Sequence, residues 1–214
     1  MLSFRLFGYP IHVQWMFWLL CILLGMNYLD EPGPESLGRF LIMTAVIFGS
    51  IIWHELGHAW ARKKSGAAYS EITLHGFGGL CSGPGTFTRG ESIFISAAGP
   101  AANLILGGAT WLLTLTPGME NMWVRQFVGN MLWLNFALAL LNLLPILPLD
   151  GGRILESISG PRNFRKVVWC SLILAATLAV LSLTFTGRLF GAVLFGYLAF
   201  SNWQLLQGQR TRFR

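Results

Sequence analysis

Charge is what this sequence has least of. Only 11% of its 214 residues are Asp, Glu, Lys or Arg, where an ordinary soluble domain carries about a quarter. With a mean hydropathy of +0.57, that scarcity excludes a water-soluble globular fold. Acidic residues are the rarer sign, nine against fifteen basic ones, for a net charge of +6. The positive excess sits in short stretches between apolar runs, where it reads as a topology signal. No nucleic-acid partner is expected from it. Cysteine is also sparse. Cys21, Cys81 and Cys170 form no CxxC spacing, which excludes a thiolate zinc site and a disulfide framework. Arg5 precedes an apolar run, but no A-x-A-like site follows it, so no cleaved signal peptide is expected. Internal repeats are absent, and no appended soluble domain is expected. Residues 1–214 are expected to form one membrane-embedded domain.

What the sequence does have is long apolar runs. Runs of 18 or more residues argue for membrane-spanning helices. Six are expected, over about 15–28, 37–63, 92–115, 121–144, 167–184 and 189–206. Asp30 to Glu35 and Thr186-Gly187 read as loops, residues 157–166 as a basic loop, and Ser36 as a helix cap. Residues 3–7 and 10–14 alternate around Gly8-Tyr9-Pro10, the pattern of a short hairpin. Tyr69 to Leu74 is strand-like and precedes a glycine-rich stretch. An unpaired edge on that strand could accept an extended peptide, and the alternative is a strand that braces the hairpin. The fold class is therefore an all-α polytopic membrane protein, six transmembrane helices with a small β-sheet at the cytoplasmic membrane surface. Six spans put both termini on one side. Assigning that side to the cytoplasm places twelve of the fifteen Lys and Arg inside, as the positive-inside rule requires. The protein is expected to be a multi-pass component of the cell membrane.

Within the second run stands His54-Glu55-Leu56-Gly57-His58. On a helix, positions i and i+4 share one face, so the two imidazoles can hold one metal ion. Glu55 lies close enough to reach a water on that metal. Two imidazoles leave a tetrahedral Zn²⁺ short of ligands. From Arg39, His54 lies fifteen residues into its helix, roughly 22 Å at 1.5 Å per residue. The fourth helix descends in the same direction, and its break at Pro145 to Pro148 brings Asp150 to a similar depth. Asp150 is the expected third ligand. Two histidines, a carboxylate and an open position form a catalytic zinc pattern. Asn103 and Asn142 read either as hydrogen-bond donors to a substrate or as interhelical bonds. His12 and His75 read as surface or interfacial histidines.

His54 to His58, Gly99-Pro100-Ala101-Ala102-Asn103 and Asn142 to Gly152, which contains Pro145, Pro148 and Asp150-Gly151-Gly152, resemble the three signature segments of the site-2 protease family. These are zinc metalloproteases that cut within or near a membrane span. The matched segments cover a catalytic core of about 37–153. The resemblance implies one Zn²⁺ per chain on His54, His58 and Asp150, with Glu55 as the catalytic base. It also implies that Asn142 and Asn103 lie near the scissile carbonyl. The implied substrate is a membrane-anchored regulatory protein within the lipid bilayer. No PDZ or CBS domain is evident. Two readings from other classes are a metal-ion or proton transporter using the same ligands and an inactive membrane adaptor. The first would need polar residues along the outer half of the helices, where few are found. The second would be expected to have lost Glu55 or a ligand, and none is lost.

Overall fold

A computed structural model describes residues 1–29, 33–116, 119–185 and 189–212. The expected loop at Asp30 to Glu35 lies partly outside these residues, and the turn at Thr186-Gly187 wholly so. The chain forms two compact units. The first holds Met1–Phe87 with Ala98–Leu140, and the second holds Thr88–Ala97 with Leu141–Arg214.

The first unit opens with a four-stranded sheet of order β1-β2-β3-β4. Strands β1 (Leu2–Leu6) and β2 (Tyr9–Val13) form the expected hairpin. Its turn is Phe7-Gly8, both at positive φ, as a two-residue hairpin turn requires. Strand β3 (Glu71–His75) runs parallel to β2, pairing Ile11 with Ile72 and Val13 with Leu74. Those four side chains are buried, because alternation along a strand sends every second residue to one face. Strand β4 (Gly78–Ser82) then pairs antiparallel with β3. This corrects the open-edge expectation for residues 69–74. Strand β3 is paired on both sides and braces the hairpin, while β4 lies at the edge. Gly78 and Gly79 carry no side chain to give the alternating signal of a strand, which hid β4 in the sequence.

Helix α1 (Trp15–Leu29) has 15 residues and is about 22 Å long. Helix α2 (Ser36–Lys64) follows. Ser36 does not cap it. Its hydroxyl donates to the Gly33 carbonyl, and Glu35 occupies the cap position. At the far end Arg62 donates to Ser70 Oγ and to the Gly83 carbonyl and lies over the Phe87 ring. It ties α2 to the loop after β4. Helices α3 (Arg89–Leu113) and α4 (Met122–Asn142) complete the spans that approach the site. Thr88 and Glu91 form a reciprocal cap at the start of α3, so this helix begins earlier than its apolar run.

In the second unit, residues 143–149 break the helical path. The Leu147 N–H is taken up by Ser171 Oγ and its carbonyl by Asn202 Nδ2. Unwound backbone among membrane helices needs such partners. They explain two fully buried polar residues, Ser171 on α6 (Phe164–Phe185) and Asn202 on α7 (Leu189–Arg212). Asp150–Ser159 form a further helix, α5, followed by a 3-10 turn at Pro161–Asn163. The basic loop expected over residues 157–166 is instead the end of α5, that 3-10 turn and the start of α6. Gly151 and Gly152 lie in the first turn of α5 and serve packing. A Cβ on either would overlap backbone atoms of residues 143–147, so only glycine lets α5 approach that segment.

Among the described residues, five helical stretches are long and apolar enough to cross a membrane: Ser36–Lys64, Arg89–Leu113, Met122–Asn142, Pro161–Thr184 and Leu189–Gly208. Helix α1 is apolar but shorter than these. Large apolar side chains such as Ile105 and Leu140 face outward, whereas Ser50, Asn103 and Asn135 are wholly buried. That distribution suits a lipid surround, and the chain is a membrane protein.

Candidate metal centre

Helix α2 carries the His54–His58 motif on buried surface. His54, Glu55 and His58 are all less than a tenth exposed. The two histidines lie one turn apart with their Nε2 atoms 3.0 Å apart and their rings edge-on. Two ligands at 2.0–2.1 Å from a tetrahedral zinc stand about 3.3 Å from each other. The observed separation therefore fits two imidazoles sharing one cation.

Helix α3 comes close enough to close one side of this pair. Gly57 lies against the Ala98 carbonyl and Ala102 Cβ, and Trp53 Nε1 donates to the Ala102 carbonyl at 2.9 Å. A Cβ on Gly99 would overlap the Nε2 atoms of both His54 and His58. The small residues of 99–102 are thus explained by close approach. Asn103, fully buried, has its Oδ1 2.5 Å from His54 Nδ1. Its Nδ2 donates to Asn135 Oδ1 and to the Ser50 carbonyl. These are the interhelical bonds that the sequence reading set beside a substrate contact. Glu55 sits against β4, where a Cβ on Gly79 would overlap its Cγ and carboxylate.

The other two expected site residues belong to the second unit. Asn142 ends α4 half-buried, and Asp150 is the buried first residue of α5. His12 bonds Ser3 Oγ and His75 accepts the Phe77 N–H, as interfacial histidines do. Sequence reasoning missed Ser50, Asn135 and Gly79. The first two had a usable signal, since a polar residue in an apolar span needs a reason. Asn135 stands seven residues, two helical turns, before Asn142.

The pattern defining peptidase family M50 matches residues 42–121 and 117–183. The chain belongs to peptidase family M50. This is the site-2 protease family that the three segments resemble. Among M50 relatives, a Synechocystis protein provisionally named a zinc metalloprotease is 36% identical over 164 residues, covering 72% of this chain and 42% of its own length. The zinc metalloprotease MJ0392 of Methanocaldococcus jannaschii is 29% identical over 185 residues, covering 85% of this chain and 52% of its own. The chain thus spans about half the length of these relatives. The solved site-2 protease from Methanocaldococcus jannaschii shares the fold, with a TM-score of 0.69 at 24% identity over 95% of this chain and 94% of that one.

Proposed function

We propose that this M50 chain is an intramembrane zinc endopeptidase. It would hydrolyse a peptide bond within or near a transmembrane segment of a membrane-anchored regulatory protein. The carrying observation is the pair of buried Nε2 atoms, 3.0 Å apart, with the buried Glu55 beside them in sequence. His54 and His58 would hold one Zn²⁺ with Asp150, the carboxylate of the family's third segment. Three protein ligands leave a position open, the arrangement that distinguishes catalytic from structural zinc sites. Bound there, zinc polarises a carbonyl and lowers the pKa of water.

The remaining steps belong to this chain's residues. Glu55 takes a proton from the attacking water as its oxygen bonds to the scissile carbonyl carbon. It returns that proton to the leaving amine as the C–N bond breaks. The Asn142 amide is proposed to donate to the carbonyl oxygen as negative charge develops there. Asn103 joins the site through His54 instead. The catalytic core of about 37–153 lies within a single protease domain of residues 1–214 on this reading. The deciding experiment compares membrane-protein fragments in cells carrying the wild-type chain with those carrying Glu55→Gln. No difference in fragments would remove the proposal.

The substrate must be locally extended, because helical carbonyls are engaged in i→i+4 bonds. On this sheet the strand that could receive it is β4, whose Gly79 adjoins Glu55. Leu80 on that strand is 41% exposed. A photo-crosslinking side chain at Leu80 is expected to capture a membrane-anchored substrate, and one at Leu2 on the opposite edge is not. Equal capture at both positions would exclude β4 as the presenting strand.

The proposal keeps six spans, with α1 as the first, and both termini in the cytoplasm. Single cysteines in a background without the native three test this. Those at Lys63 and Arg165 should react with an impermeant maleimide only after lysis, and those at Glu35 and Glu120 in intact cells. Labelling at Lys63 from outside would reverse the orientation.

A further inference from the structure

Asn135 has 0% exposure in the middle of α4. A buried amide there needs partners for its oxygen and for both hydrogens. Its Nδ2 donates to the Met131 carbonyl at 2.8 Å and to Ser50 Oγ at 3.0 Å, and its Oδ1 accepts from Asn103 Nδ2 at 2.6 Å. A backbone carbonyl can only accept, so Met131 fixes which way the Asn135 amide faces. The oxygen must then point at Asn103. Asn103 in turn gives Nδ2 to Asn135 and to the Ser50 carbonyl, a second group that can only accept. Its Oδ1 is left facing His54 Nδ1. An acceptor at that place requires the hydrogen of the neutral imidazole on Nδ1, and the lone pair on Nε2.

We infer that Asn135 is a positioning residue of the metal centre. Acting through Asn103, it selects the His54 tautomer that presents its Nε2 lone pair toward His58. The inference rests on the zinc reading above. It adds that α4 orients a ligand on α2 through an amide on α3, two bonds from the imidazole. Ser50 serves the same chain twice, receiving Asn103 with its carbonyl and Asn135 with its hydroxyl.

Partners that orient a metal-bound histidine typically change metal affinity by 10–100-fold when removed. The test uses the full chain purified in detergent, stripped of metal, with Zn²⁺ and Co²⁺ titrated against a chromophoric chelator. Asn135→Leu keeps the branched outline and the number of side-chain heavy atoms and removes both polar groups. It should bind both ions about 10–100-fold more weakly and change the visible spectrum of the Co²⁺ form, with metal-free elution and melting near wild type. Asn135→Asp is the conservative variant. A buried carboxyl is driven toward its protonated form, which still accepts from Asn103 and donates to Met131. It should hold the ions within about threefold of wild type. Should Asn135→Leu not fold, Asn135→Ser decides. Its hydroxyl can bond the Met131 carbonyl on its own helix but is too short to reach Asn103, so it should weaken binding as Leu would. Wild-type affinity in a folded Leu or Ser variant would overturn the inference, as would Asp binding no better than Leu. A wild-type chain that binds neither ion would remove the zinc reading itself, a result distinct from all of these.

Discussion

Glu55→Gln is expected to abolish detectable cleavage while leaving one zinc per chain. Glutamine has the size of glutamate and fits the same space against Gly79. It cannot accept a proton at neutral pH. General acid–base groups contribute about 10²–10⁴-fold, and the loss should lie at or beyond the upper end, since one group serves both proton transfers. Binding should survive because Glu55 is assigned as the base and not as a ligand. Stability should not fall, since burying a neutral amide costs less than burying a carboxylate. Zinc content, thermal melting and turnover of a membrane-anchored substrate, measured on the same preparation, separate these effects. A Glu55→Gln chain that purifies without zinc, beside a wild type that holds it, would show that the roles are misassigned.

Gly99→Ala should have an effect as large by the opposite route, losing the metal first. The added methyl would occupy the place where the Nε2 atoms of His54 and His58 converge. Neither ring can yield cheaply. His54 is held at Nδ1 by Asn103, and α2 is pressed onto α3 where Gly57 meets the Ala98 carbonyl. Alanine is a better helix former than glycine by about 1 kcal/mol, so α3 itself should not weaken. The expected result is zinc affinity reduced by about 100-fold or more, no detectable cleavage, and a metal-free melting temperature within a few degrees of wild type. Gly108→Ala on the same helix is the control, because a Cβ there meets nothing within 4 Å. Retention of one zinc in the Gly99→Ala chain would mean that the two histidines do not share a cation at this place.

The candidate site was legible in proportion to how local its pattern is. His54, Glu55 and His58 lie within one helical turn, and a five-residue motif carries their geometry. Asn103 was visible as a polar residue in an apolar run, yet its partner was not. Only the approach of α3 to α2 and α4 turns it toward His54 and Asn135. Gly79 was one glycine among several in its loop, and nothing in the sequence places it beside Glu55. Ser171 and Asn202 stand in apolar runs, and only the unwound backbone at Leu147 gives them their partners, its amide N–H for Ser171 and its carbonyl for Asn202.

By itself the sequence determined the class of the protein, its apolar runs, the hairpin at its start and the metal-binding motif. Each of these follows from composition or from a period of two or of 3.6, which neighbouring residues express without the rest of the chain. Tertiary structure alone decided that β3 is an inner strand and β4 an edge, and that Asp150–Ser159 is helical. It also decided that Gly57, Gly151 and Gly152 serve close approach, and that Glu55 is what Gly79 lies against and the two imidazoles what Gly99 lies against. A glycine reads as a turn along the chain because it lacks a side chain to bias the backbone. The same lack is what lets another helix, strand or carboxylate occupy the space, and which use prevails depends on what packs against it.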